Sequence, residues 1–129
     1  MKNNVMLTVT SLLSILLFSI HLPQDILRGI EPGTLTNLPA VPIMVVWLYG
    51  ALVLAERRSG QVIMLLGSLL AVLILLAHLR GAGVGGAAAK SSGAVLYIWT
   101  IFGLGVTGTF SVILSVRALR QPRLVTPSA

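Results

Sequence analysis

The sequence predicts an all-α integral membrane protein: four antiparallel transmembrane helices, with a short interfacial helix after the first. Three observations carry that prediction. The composition is 56% hydrophobic and only 9% charged, with a mean hydropathy of +0.98, where soluble domains carry about 25% charged residues. The stretch from Gly60 to Leu79, GQVIMLLGSLLAVLILLAHL, holds no Lys, Arg, Asp or Glu. At 1.5 Å per residue, about 20 apolar residues match the roughly 30 Å hydrocarbon core of a bilayer. The nine Lys and Arg, finally, lie at the ends of apolar runs, the placement of topology signals rather than of a nucleic-acid-binding face. A nucleic-acid partner is therefore discounted, and the bilayer is the expected partner of a single domain over 1–129.

The first span is expected over about 5–22, an apolar run diluted by Thr8, Thr10, Ser11, Ser14 and Ser19. The following SIHLPQD lacks a small-x-small cleavage pattern, so the run reads as a retained span rather than a signal peptide. His21 to Asn37 is the longest polar insertion. Pro23 is placed to open a short interfacial helix and Gly29 to close it. Glu31-Pro32-Gly33 reads as a turn, with Thr36 or Asn37 capping the next span.

The second span is expected over about 38–55, with Pro42 loosening its start. Glu56-Arg57-Arg58-Ser59-Gly60 turns the chain into the third, about 60–79. GAGVGGAAAKSSG then makes a small-residue connection. Its glycines follow a membrane helix rather than a strand, so a dinucleotide-binding role is unsupported. Ser91 or Ser92 is placed to cap the fourth span, about 93–116, and 117–129 reads as a basic tail. Tyr97 and Trp99 are expected in an outer aromatic belt. With four spans, Lys2, Arg57, Arg58, Arg117, Arg120 and Arg123 share one side, against Arg28, Arg80 and Lys90. The positive-inside rule places both termini in the cytoplasm.

The inventory for chemistry is short: no cysteine, two histidines and three acids. Disulfides, thiolate chemistry and Cys-ligated metal sites are excluded. His21 ends the first span and His78 the third, on the same side. Each follows small or hydroxyl residues at helical spacing (Thr10 and Ser14, Gly67 and Ala71), so both imidazoles should face the bundle. Asp25 and Glu31 arrive just after His21. Two imidazoles with one or two carboxylates suit Zn²⁺, Mn²⁺ or Fe²⁺. Two facing histidines could alternatively clamp a haem, with Arg28 and Arg80 at its propionates or another anionic group. The plainer reading is a pair of interfacial histidines bonded to a carbonyl or to Asp25. Asp25 and Arg28 could be a surface i,i+3 pair. Ser19 or Ser92 with His21 and Asp25 could be drawn as a hydrolytic triad, but no nucleophile elbow accompanies it.

In the fourth span Gly103, Thr107, Ser111 and Ser115 recur every four residues, a small stripe that admits another helix closely. That helix could belong to the chain's own bundle or to another subunit. No ionisable residue falls at mid-membrane, which counts against a proton-coupled exporter or a voltage sensor. The first-ranked expectation is a non-catalytic accessory or oligomer-forming subunit, in self-association or a larger membrane complex, with a polar outer-face site around His21, Asp25 and His78. The second is a metal- or haem-binding redox or sensing protein. The third is a dimeric transporter or channel for a small solute.

Overall fold

Among the described residues of the first helix, Leu7, Ser11, Ser14, Phe18, His21 and Asp25 are buried. They alternate at four- and three-residue spacing, which keeps one stripe of a helix turned to its neighbours. That stripe runs unbroken through the position where a break was expected. A computed structural model of the protein, describing residues 2–81 and 83–122, has one helix, α1, over Lys2–Leu27 with Pro23 inside it. There is thus no separate interfacial helix. Proline removes only its own N–H bond to the carbonyl four residues back, and the turns on either side carry the helix through. Gly29 does end it, in the left-handed conformation (φ 70°). The Ile30 N–H donates to the Asp25 carbonyl at 2.9 Å and the Gly29 N–H to that of Ile26 at 3.0 Å. These two bonds make a Schellman cap.

A 3₁₀ turn over Leu35–Asn37 leads into α2, Ala40–Leu52, whose N-cap is Pro39 rather than Thr36 or Asn37. Because α2 starts at Ala40, Pro42 falls in the first turn, where a missing N–H leaves no intrahelical bond broken. α3 spans Arg58–His78 and α4 spans Ala94–Arg120, beyond the expected 116. Gly93 (φ 75°), not Ser91 or Ser92, is the N-cap residue of α4. Residues 123–129, including Arg123 and most of the expected tail, lie outside the described residues.

All four helices are long and apolar enough to cross a membrane. α4 packs along both α1 and α3, and α2 lies against α3 and α1. The α4 stripe is used inside this bundle. Ser111 Oγ accepts from Ser68 Oγ of α3 at 2.6 Å and pairs with Ser11 Oγ of α1 at 2.9 Å. Ser14 Oγ donates to Thr107 Oγ1 at 2.8 Å, Gly103 faces Leu17, and Ser115 is buried. A Cβ on Gly108 would lie 2.8 Å from that of Ala71, and one on Gly67 only 2.3 Å from the buried Trp47 ring. Hydroxyls and missing side chains thus bring three helices together where no water could drive them together.

Candidate metal centre

His21 and Asp25 stand one turn apart on the buried stripe of α1, and His78 is the last residue of α3. Both helix ends are fixed by the backbone beyond them. The Schellman cap holds the turn carrying Asp25. At the end of α3 the Val84 N–H donates to the His78 carbonyl at 2.9 Å, and Gly83 passes so close to that oxygen that a Cβ would sit 2.3 Å from it. His21 is 1% exposed and Asp25 3%.

Three ligand atoms converge there. Asp25 Oδ2 lies 3.0 Å from His21 Nε2 and 3.0 Å from His78 Nε2. One ligand atom from each of the three side chains lies within 4.8 Å of the others. The imidazoles meet edge to face, with centroids 4.8 Å apart and planes at 77°. Tyr97, fully buried, covers the pair with its ring centroid 5.6 Å from His21. The Arg28 guanidinium lies 4.7 Å from the centroid of the Tyr97 ring, within cation–π range.

Hydrogen positions follow from the partners. His78 Nδ1 is 2.7 Å from the Ile74 carbonyl, which only accepts, so Nδ1 carries a proton. In the neutral ring Nε2 is then a lone pair, yet it faces a carboxylate oxygen at 3.0 Å. Two acceptors approach so closely only with a cation between them, a proton or a metal ion. His21 is still less satisfied. Its Nε2 is near Asp25 Oδ2 but off the line of a hydrogen bond, and neither of its nitrogens has a hydrogen-bond partner; nor does Asp25 Oδ1. Buried polar atoms without partners are costly unless a missing group satisfies them.

The donor set fits a small divalent ion. At metal–ligand distances of about 2.0–2.2 Å, tetrahedral ligand atoms sit roughly 3.3 Å apart; the two carboxylate–imidazole separations of 3.0 Å are close to that, while the three ligand atoms together span up to 4.8 Å and would draw in on an ion. Nδ1 of a metal-binding histidine is commonly tied to a backbone carbonyl, as His78 is to Ile74. Haem does not fit. Two axial imidazoles bonded at roughly 2 Å on opposite faces of the iron hold the porphyrin plane between their rings. Here Asp25 Oδ2 fills that space, and the ring centroids are only 4.8 Å apart. The arrangement therefore favours a metal ion over a haem, and Arg28 and Arg80 are not drawn toward the histidines.

A cavity of about 240 Å³ opens beside the three ligands, with Glu31, Asn37, Ile43 and Leu70 also in its walls. Glu31 Oε2 accepts from Asn37 Nδ2 at 2.9 Å, while Asn37 Oδ1 is buried without a partner. Arg28 does not pair with Asp25. It reaches the connection between α3 and α4, donating to the Ala88 and Ser92 carbonyls at 3.4 and 3.3 Å and to Ser91 Oγ. Arg80 is exposed past the end of α3. Ser19 Oγ is tied to the Leu16 carbonyl, away from any nucleophilic role. Tyr97 is buried against the histidines rather than in the outer aromatic belt expected for it with Trp99. Only Trp99 is outward, at 71% exposure. The available signal was spacing: Tyr97, Ile101, Leu104, Gly108, Ser111 and Ser115 continue one stripe. No family model matches the chain, and comparison with curated proteins and solved structures finds no match either.

Proposed function

We propose that this protein is a membrane-embedded metal-binding protein, which holds a divalent transition-metal ion through His21 Nε2, Asp25 Oδ2 and His78 Nε2. The carrying observation is the convergence of two imidazoles on one buried carboxylate oxygen, with Asp25 Oδ2 3.0 Å from both His21 Nε2 and His78 Nε2 and His21 otherwise without a hydrogen-bond partner. Three protein ligands leave further coordination positions free, the mark of sites that bind or sense rather than merely brace a fold. Glu31, Thr36 and Asn37 line the same cavity as polar groups that can meet what binds there. Two imidazoles and one carboxylate suit Fe²⁺, Mn²⁺ or Zn²⁺.

The charge distribution supports an outward-facing centre. Arg57, Arg58, Arg117 and Arg120 gather at one end of the bundle, and the centre sits at the other, with Arg28, Arg80 and Lys90. By the positive-inside rule the termini are cytoplasmic. The small-residue stripe that motivated an accessory or oligomer-forming role is occupied within the chain, so the metal reading takes precedence.

The test is metal analysis and Co²⁺ titration of protein purified from its native membrane. One equivalent of metal is expected, with a visible Co²⁺ spectrum that disappears in His21→Ala/His78→Ala and in Asp25→Asn. Folded protein that binds no metal would overturn the proposal and return the cluster to a proton shared among three side chains.

A further inference from the structure

Asp25 has one oxygen engaged and one idle. Oδ2 faces both imidazoles at 3.0 Å, while Oδ1 is buried with no hydrogen-bond partner. An ionised carboxylate only accepts hydrogen bonds, and a buried acceptor left without a donor is costly. The neighbouring side chains that could supply one are mostly engaged elsewhere. The Arg28 guanidinium is turned to Ala88, Ser91 and Ser92, Asn37 Nδ2 to Glu31, and Gln24 to Thr100. Tyr97 is the exception. Its hydroxyl lies against the Asp25 carboxyl, and it too is buried without a partner.

We propose that Tyr97 is a positioning residue of the candidate metal centre, its O–H donating to Asp25 Oδ1 and so aiming Oδ2 at the ion. Donor and acceptor are complementary, adjacent and otherwise unmet. Two contacts hold the phenol where this bond needs it. Thr100, one turn along α4, donates from Oγ1 to Gln24 Oε1 at 2.8 Å, which sets the register of α4 against the turn of α1 that carries Asp25. Arg28, tied to the connection before α4, stands 4.7 Å from the centroid of the phenol ring, a cation–π contact that steadies the ring from its face. A hydrogen bond to an ionised carboxylate is about twice as strong as one between neutral groups. Metal-ligating carboxylates are themselves hydrogen-bonded, and losing such an outer partner costs roughly 10–100-fold in metal affinity. The effect on affinity rests on the metal reading; the Tyr97–Asp25 bond itself does not.

The test uses full-length protein in nanodiscs and two readouts. Tyr97→Phe removes the hydroxyl and keeps the ring. Its Co²⁺ affinity, measured by competition with a chromophoric chelator, should fall roughly 10–100-fold, while Trp99→Phe, an exposed aromatic change on the same helix, leaves it unaltered. The second readout needs neither metal nor a change at Tyr97. With Tyr49→Phe, Tyr97 becomes the sole tyrosine of the chain, and ring-deuterated tyrosine isolates its phenol C–O stretch in the infrared. That band should report a strong donor, and a weaker one in Asp25→Asn, whose amide oxygen carries no charge. Unchanged Co²⁺ affinity in Tyr97→Phe, or a phenol band indifferent to Asp25→Asn, would overturn the proposal. So would a tyrosinate absorption appearing with Co²⁺, which would put the Tyr97 oxygen on the ion itself. If the wild-type protein binds no Co²⁺, the metal reading falls, and the phenol band still decides the Tyr97–Asp25 bond.

Discussion

Asp25 bears the greatest demand of any residue in the molecule, since one carboxylate oxygen serves two imidazoles. Asp25→Asn keeps its shape and removes its charge. It should lower metal affinity by more than the 10–100-fold typical of losing an outer-shell partner, read by competition with a chromophoric chelator. Affinity should also fall on acidification, because imidazole ligates only through a proton-free nitrogen; a metal titration across pH checks this. Both histidines and their inward direction were legible from helical spacing to Ser14 and Ala71. The burial of Asp25 was not, because Pro23 reads locally as a helix start. Nothing around Pro23 tells that the stripe continues to Asp25, except its four-residue step from His21.

Among the elements, α1 shows how a correct cap signal can be attached to the wrong helix. Gly29 does close a helix, but that helix began near the N-terminus. Because Gly29 has φ 70° with open space around its Cα, Gly29→Ala meets no clash and only backbone strain. About 1 kcal/mol of destabilisation is expected, with Gly29→Asn milder, as shifts in Tm in detergent. The stripe of α4 was visible in sequence, but which helices it would meet was not, since spans alone do not encode order around a bundle. Ser111 touches both α1 and α3. Interhelical hydrogen bonds in membranes average about 0.6 kcal/mol each, so Ser111→Ala should cost about 1 kcal/mol in reversible unfolding. Gly108→Leu should be far worse, forcing α3 and α4 apart where a mere Cβ already meets Ala71 at 2.8 Å.

Over the whole molecule, membrane class and helix number follow from composition and run length, because the bilayer fixes how long an apolar helix must be. Orientation rests on charge counts and has a direct test. The chain has no cysteine, so single cysteines report without background. Leu35→Cys, in the loop beside the candidate metal centre and 80% exposed, should react with an impermeant maleimide in intact cells. Glu56→Cys, at the opposite end, should react only after permeabilisation. The reverse pattern would place the centre on the cytoplasmic face.

α1 and α3 face each other diagonally and touch less than adjacent helices do, yet α1 supplies two ligands and α3 the third. A bound ion would therefore be a cross-link, joining Asp25 to His78 across 53 positions of chain. A disulfide closing a loop of that length restricts the unfolded chain by about 4 kcal/mol in the chain-entropy treatment, an upper bound where helices persist in the bilayer. A chain without cysteine would gain from a metal the tether that others gain from sulfur, and unlike a disulfide this tether would loosen as the surrounding metal concentration falls.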